Sequence, residues 1–216
     1  SGLSEHLGLE SRVNTNVYVQ RSTFLNNTNG MSINGGGEWT GYCICDMYDC
    51  TLERNSATGI TCAHWAMLSV NCSSIRDNRD GIQLNSSHDG GPGMNLNNSD
   101  VANNENGLVL TTGEYSPTTS TANVYNSTIR NNSNCGVSLS PGRLNLNNSV
   151  IEQSIYGIEG TGNFASSVTA SFSIIASNSI GVSLPSIGYS TSSFGASFTT
   201  VANNTVANIQ CPSCLL

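Results

Sequence analysis

One phrase recurs along this chain too regularly for accident, and a chain of repeats has few folds open to it. "NSDVANNENGLVL" at 98–110 returns as "TTVANNTVANI" at 199–209. With Val101 as the centre, the equivalent positions are Phe24, Leu52, Ile75, Val101, Ile129, Ile151, Ile175 and Val201, spaced 22 to 28 residues apart. Two residues before each centre stands Ser22, Cys50, Ser73, Ser99, Ser127, Ser149, Ser173 or Thr199. Three residues after it stands Asn27, Asn55, Asn78, Asn104, Asn132, Ser154, Asn178 or Asn204. A glycine follows at 30, 59, 81, 107, 136, 157 and 181, with Ala207 in the last line. Apolar residues five and seven positions before each centre, such as Leu96 and Met94, complete the unit.

Within each unit the apolar residues alternate with polar ones, as in Ile82–Gln83–Leu84, and asparagine and glycine break the runs. That is a strand period of two, never a helical period. A unit of three short strands cannot bury its own inner face, but stacked copies can. The asparagine column would then hydrogen-bond along the stack, and the glycine would supply either a positive φ or a close backbone approach. The motif S-x-φ-x-x-N-x-x-G-φ-x-φ (φ an apolar residue) resembles the right-handed parallel β-helix superfamily of pectate lyases, polygalacturonases, alginate epimerases and phage tailspikes. The resemblance covers about residues 16 to 210 and implies an all-β solenoid of about eight coils. At roughly 4.8 Å per coil its core would be about 40 Å long. Residues 1–16 are read as an N-terminal cap through Leu3, Leu7 and Leu9, residues 17–210 as the β-helix, and 211–216 as a tail.

Composition narrows the function. The seven basic residues, all arginine, are outnumbered by 14 acids, leaving a net charge of −7. That disfavours a nucleic-acid partner, because such binding is mostly phosphate neutralisation. No apolar run is long enough to span a membrane, and the opening "SGLSEHLGLESR" has no signal-peptide pattern. The eight cysteines favour a secreted protein with disulfides. Cys50 and Cys72 fall on adjacent coils, and Cys211 and Cys214 close a CPSC turn, so these are the expected pairs. Cys45 points inward, either reduced or facing Cys62. The spacing of Cys43, Cys45, Cys50, Cys62 and Cys72 has no histidine or second CxxC placed to complete a tetrahedral site, so neither metal nor cofactor is expected.

The connections between coils vary in length and should emerge along one edge. Those near the N-terminus carry Glu38, Trp39, Tyr42, His64, Trp65, His88, Asp89, Glu114 and Tyr115, a candidate carbohydrate-binding ridge of aromatic platforms and hydroxyl acceptors. Sequons fall at Asn26, Asn71, Asn85, Asn97, Asn126, Asn131, Asn147 and Asn203, most of them at positions expected to face solvent. The catalytic signatures of the resembling enzymes are not matched. There is no cluster of acids on one sheet beside a basic residue, and no paired aspartates beside Gly-His-Gly. The expected role is therefore a secreted structural or adhesive rod in an extracellular, cell-surface or viral assembly. Its expected partners are other copies or assembly subunits at the coil ends, and polysaccharide. The alternative is a polysaccharide lyase or glycoside hydrolase acting through the ridge.

Overall fold

Because the apolar positions repeat at a fixed offset, every coil places the same strand beside its copy, and the chain winds into three parallel sheets. The computed structural model describes residues 7–12, 14–36, 41–86, 90–112, 119–161, 165–184 and 191–211. Sheet A has nine strands, from Leu7–Arg12 to Ala207–Gln210; sheet B has eight, from Asn16–Gln20 to Ser193–Ser197; sheet C has eight short ones, from Thr23–Leu25 to Thr200–Ala202. Consecutive strands within each sheet come from consecutive coils. The result is a parallel β-solenoid. Leu7–Arg12, inside the region read as a cap, is itself a strand, pairing Leu9 with Met31 and Ser11 with Ile33.

The centres behave as the repeat requires. Ile75, Val101, Ile129, Ile151 and Ile175 pair in register across sheet C and are fully buried. A slip of one residue would turn this whole column outward, so burial fixes the register. Beyond each centre the asparagines form a ladder. The backbone N–H of Asn78 (2.9 Å) and its Nδ2 (3.1 Å) both donate to Oδ1 of Asn104. Asn104 does the same to Asn132, and its Nδ2 also reaches the carbonyl of Ile75. One side chain thus satisfies several buried groups of the corner. The ladder fails at Ser154, whose buried hydroxyl finds no partner.

A second column, two residues before the centres, ties the other corner. The N–H of Ser73 donates to Oγ of Ser99 at 3.1 Å, and that of Ser99 to Oγ of Ser127 at 3.1 Å. The left-handed backbone is not carried by the repeat glycines. It falls three residues before the centres, from Arg21 through Asn98, Asn126 and Asn148 to Phe198 (φ 48–55°), and two residues after them, as at Asn103 and Asn131 (φ 57° and 54°). The repeat glycines serve close approach instead: a Cβ on Gly81 would lie 2.6 Å from the carbonyl oxygen of Gly107.

The expected Cys50–Cys72 disulfide is not formed; both are free thiols. Cys50 is buried at the corner, its thiol 3.3 Å from the carbonyl of Tyr48, and the residue beside it in the next coil is Ser73, whose Oγ accepts its N–H at 3.0 Å. Cys72 stands one position earlier, on left-handed backbone (φ 51°) that turns it to solvent. Cys45 and Cys62 are also free and lie in the core. Burial pushes the Cys45 thiol up to about 12 and raises that of Cys62 too, so both stay protonated and inert at neutral pH. Cys211 is disulfide-bonded, while Cys214 lies outside the described residues.

Candidate functional site

Each variable connection leads from a strand of sheet A into a strand of sheet B, so the loops border the outer face of sheet B. Glu38, Trp39, His88, Asp89, Glu114 and Tyr115 lie outside the described residues, as does any contact they make. His64 and Trp65 link Thr58–Ala63 to Ala66–Asn71. His64 has left-handed backbone (φ 57°), and its N–H donates to the carbonyl of Asn85 at 3.1 Å. Trp65 is half-buried. Gly90 packs on its indole so closely that a Cβ there would fall 2.6 Å from Nε1, and the Tyr42 ring meets it edge-on at 5.6 Å and 84°. The indole N–H is buried and unpartnered. Trp65 therefore wedges two connections together, and Tyr42, 62% exposed, is the ring a ligand can reach.

The outer face of sheet B, which the sequence did not single out, carries the more regular arrangement. Its middle row runs Tyr18, Asp46, Ser69, Asn95, Asn123, Asn145, Thr169 and Gly195 in register. Asn145 Nδ2 donates to Asn123 Oδ1 at 2.8 Å, and Asn123 Nδ2 to Asn95 Oδ1 at 3.0 Å. Beside this row stands Tyr48, with Asn71, Asn97 and Tyr125 after it. Asn97 Nδ2 donates to Asn71 Oδ1 at 3.0 Å. Tyr18 is 69% exposed, and Tyr48 is exposed too. The thiol of Cys72 hydrogen-bonds the Tyr48 hydroxyl, which raises the pKa of that phenol. Each strand alternates, its inward partners lying in the core, so these rings and amides share one flat face. The signal for it was the outward half of the same period-two pattern that revealed the core.

The sequons divide by place. Asn26, Asn126, Asn131 and Asn203 are exposed on left-handed corner backbone, and Asn147 is exposed at the end of its strand. Asn71 and Asn97 are half-buried and committed to the amide pairing above, and Asn85 Oδ1 accepts from the hydroxyl of Thr111 at 2.7 Å. In the sequons of Asn71, Asn97 and Asn147 the serine is a buried corner residue whose hydroxyl donates to the carbonyl of its own sequon asparagine.

No family model matches the chain, and no curated protein matches it. Among solved structures, it is similar to the crystal structure of pectate lyase Pel9A, with a TM-score of 0.53 and 14% sequence identity. The match covers 86% of this chain and 56% of that one, so the chain spans little more than half of Pel9A's length. At this identity the likeness is one of fold: a pectate-lyase-like parallel β-helix.

Proposed function

We propose that this chain is a glycan-facing β-helix rod that binds polysaccharide without cleaving it, and that sheet B is the contact face. The observation that carries this reading is the pairing of the outward amides of sheet B into ladders between coils, flanked by exposed tyrosines. Flat aromatic rings beside fixed amide donors and acceptors suit sugar rings, which have one apolar face and a rim of hydroxyls. Cleavage by elimination asks for more: a base within hydrogen-bond reach of the proton it takes, and positive charge beside the leaving group. Among the described residues of this face the ionisable candidates at neutral pH are Asp46 and Arg143, on strands four apart in sheet B and so separated by roughly 19 Å.

The rod belongs, in this reading, to a secreted, cell-surface or viral assembly, with other copies or assembly subunits as partners at its coil ends. The corner sequons at Asn26, Asn126, Asn131 and Asn203 are the acceptors for glycosylation, and Cys211–Cys214 is the structural disulfide. A second reading, a polysaccharide lyase, is favoured by the likeness to pectate lyase Pel9A. The two separate in one assay. The protein is mixed with a panel of insoluble polysaccharides, and both its co-sedimentation and the release of unsaturated uronides are followed. The proposal predicts co-sedimentation without product, weakened by Tyr18→Ser with Tyr48→Ser. Steady product release by the wild-type chain would establish the lyase.

A further inference from the structure

The charges of this chain stop abruptly: no Asp, Glu, Arg or His follows Glu159, and there is no lysine anywhere. The last coils nevertheless expose large apolar side chains. Three residues before the centre the middle coils carry Asn98, Asn126 and Asn148 on left-handed backbone, a conformation asparagine tolerates. The last two coils place Phe172 and Phe198 there, both at φ 50°. A bulky ring in that conformation is an outlier, whereas asparagine is tolerated there. The rings lie parallel, 5.0 Å apart with 9° between their planes. Phe172 is 59% exposed and Phe198 81%. An observed backbone outlier on an exposed aromatic pair points to a function that lies outside the fold.

Resting on the glycan-facing reading, we infer that these uncharged coils are a binding surface for an uncharged polysaccharide, with Phe172 and Phe198 as its ring platform. The neighbours of the pair include the hydroxyls of Ser171, Ser197 and Thr200, the last two exposed, and one further exposed apolar side chain, Ile174, beside Thr200. A small stacked pair edged by hydroxyls fits the alternating apolar and polar faces of a sugar chain, whereas a protein partner calls for a larger contiguous apolar centre. Electrostatics excludes the acidic alternative. Six of the seven arginines are already paired with carboxylates: Arg12 with Glu10, Arg21 with Asp49, Arg54 and Arg76 with Glu53, Arg79 with Asp80, and Arg130 with Asp100. Among the described residues Arg143 alone has no carboxylate partner, against a net charge of −7 for the chain. A polyuronate would meet repulsion along most of the rod and no cation at the aromatic pair. The ligand class therefore differs from the pectate named for the similar enzyme.

The test compares wild type with Phe172→Asn/Phe198→Asn, a change that installs the residue the middle coils already use. Each is sedimented with cellulose, mannan and starch granules, and titrated with polygalacturonate with and without calcium. The expected result is retention on at least one neutral polysaccharide and none on polygalacturonate. Retention should be indifferent to salt between about 0.05 and about 0.5 M and fall roughly tenfold in the double variant. Binding to polygalacturonate alone, loss of retention at high salt, or an unaffected double variant would each overturn it. So would a double variant that abolishes self-association yet leaves glycan retention intact, which would make the pair a contact between copies. Retention lost through the Tyr18 and Tyr48 substitutions but not through the phenylalanine ones would leave the sheet B reading standing and this inference refuted.

Discussion

The coils between residues 51 and 152 and those between 165 and 211 share a corner and fill it differently. Both tie the turn before the centre with the hydroxyl column, since the N–H of Ser173 donates to Oγ1 of Thr199 as that of Ser73 does to Oγ of Ser99. From Asn98 to Asn148 the solvent side of this corner is asparagine, and Asn148 Nδ2 donates to Asn126 Oδ1 at 2.8 Å. In the last coils it is a pair of exposed phenylalanines. What this corner needs structurally is thus the inward hydroxyl, while the exposed position is free to be spent on recognition. At the other corner Ser154 marks the boundary between the two regions, where the asparagine ladder is interrupted.

The deepest cut into this contrast is Asn104→Ala. It removes the acceptor for two donors of Asn78 and the donor to Ile75, all buried. Each orphaned group costs on the order of 1 kcal/mol or more, so a loss of about 3 kcal/mol is expected in urea unfolding. The same change at Asn204, which is only partly buried, should cost less than half of that. An equal loss at both sites would show that burial does not set the strength of the ladder.

Gly81→Ala comes next, at about 2 kcal/mol, because its Cβ would fall 2.6 Å from the carbonyl oxygen of Gly107 and force the coils apart. Ser154→Asn should act in the opposite direction. It would bridge Asn132 to Asn178 and raise stability by about 1 kcal/mol; a destabilised variant would mean that the corner there has closed around the smaller side chain. Smallest is Phe198→Asn, expected to gain roughly 0.5–1 kcal/mol by relieving the left-handed phenylalanine. A loss on the same urea titration would make that ring part of the core's support.

The fold was legible because burial acts on the sequence at every coil. The centres, the glycines and the buried amides are all held by contacts with the next copy, so each leaves a column in the text. Where a residue faces solvent, the copies impose nothing. The ridge was therefore a guess from residue type, and in the described part of it Trp65 proves to be a wedge. The predicted Cys50–Cys72 bridge came from a sound register but ignored backbone hand: one position of difference at a left-handed residue turns a side chain from core to solvent. The stacked phenylalanines were equally visible, as the residues that end the run Asn98, Asn126 and Asn148. That run carried no label until the φ angles supplied one.

The central claim, a rod that grips glycan without cleaving it, is tested most directly by hydrogen–deuterium exchange with and without a polysaccharide that retains the protein. The account predicts slowed exchange along the first strands of sheet B (Asn16–Gln20, Cys43–Tyr48 and Ala66–Asn71) and at the corner around residues 171–174 and 197–200, with the polysaccharide recovered at its original length. Protection confined to the connections at 37–42 and 87–90, together with a shortened polysaccharide, would contradict it.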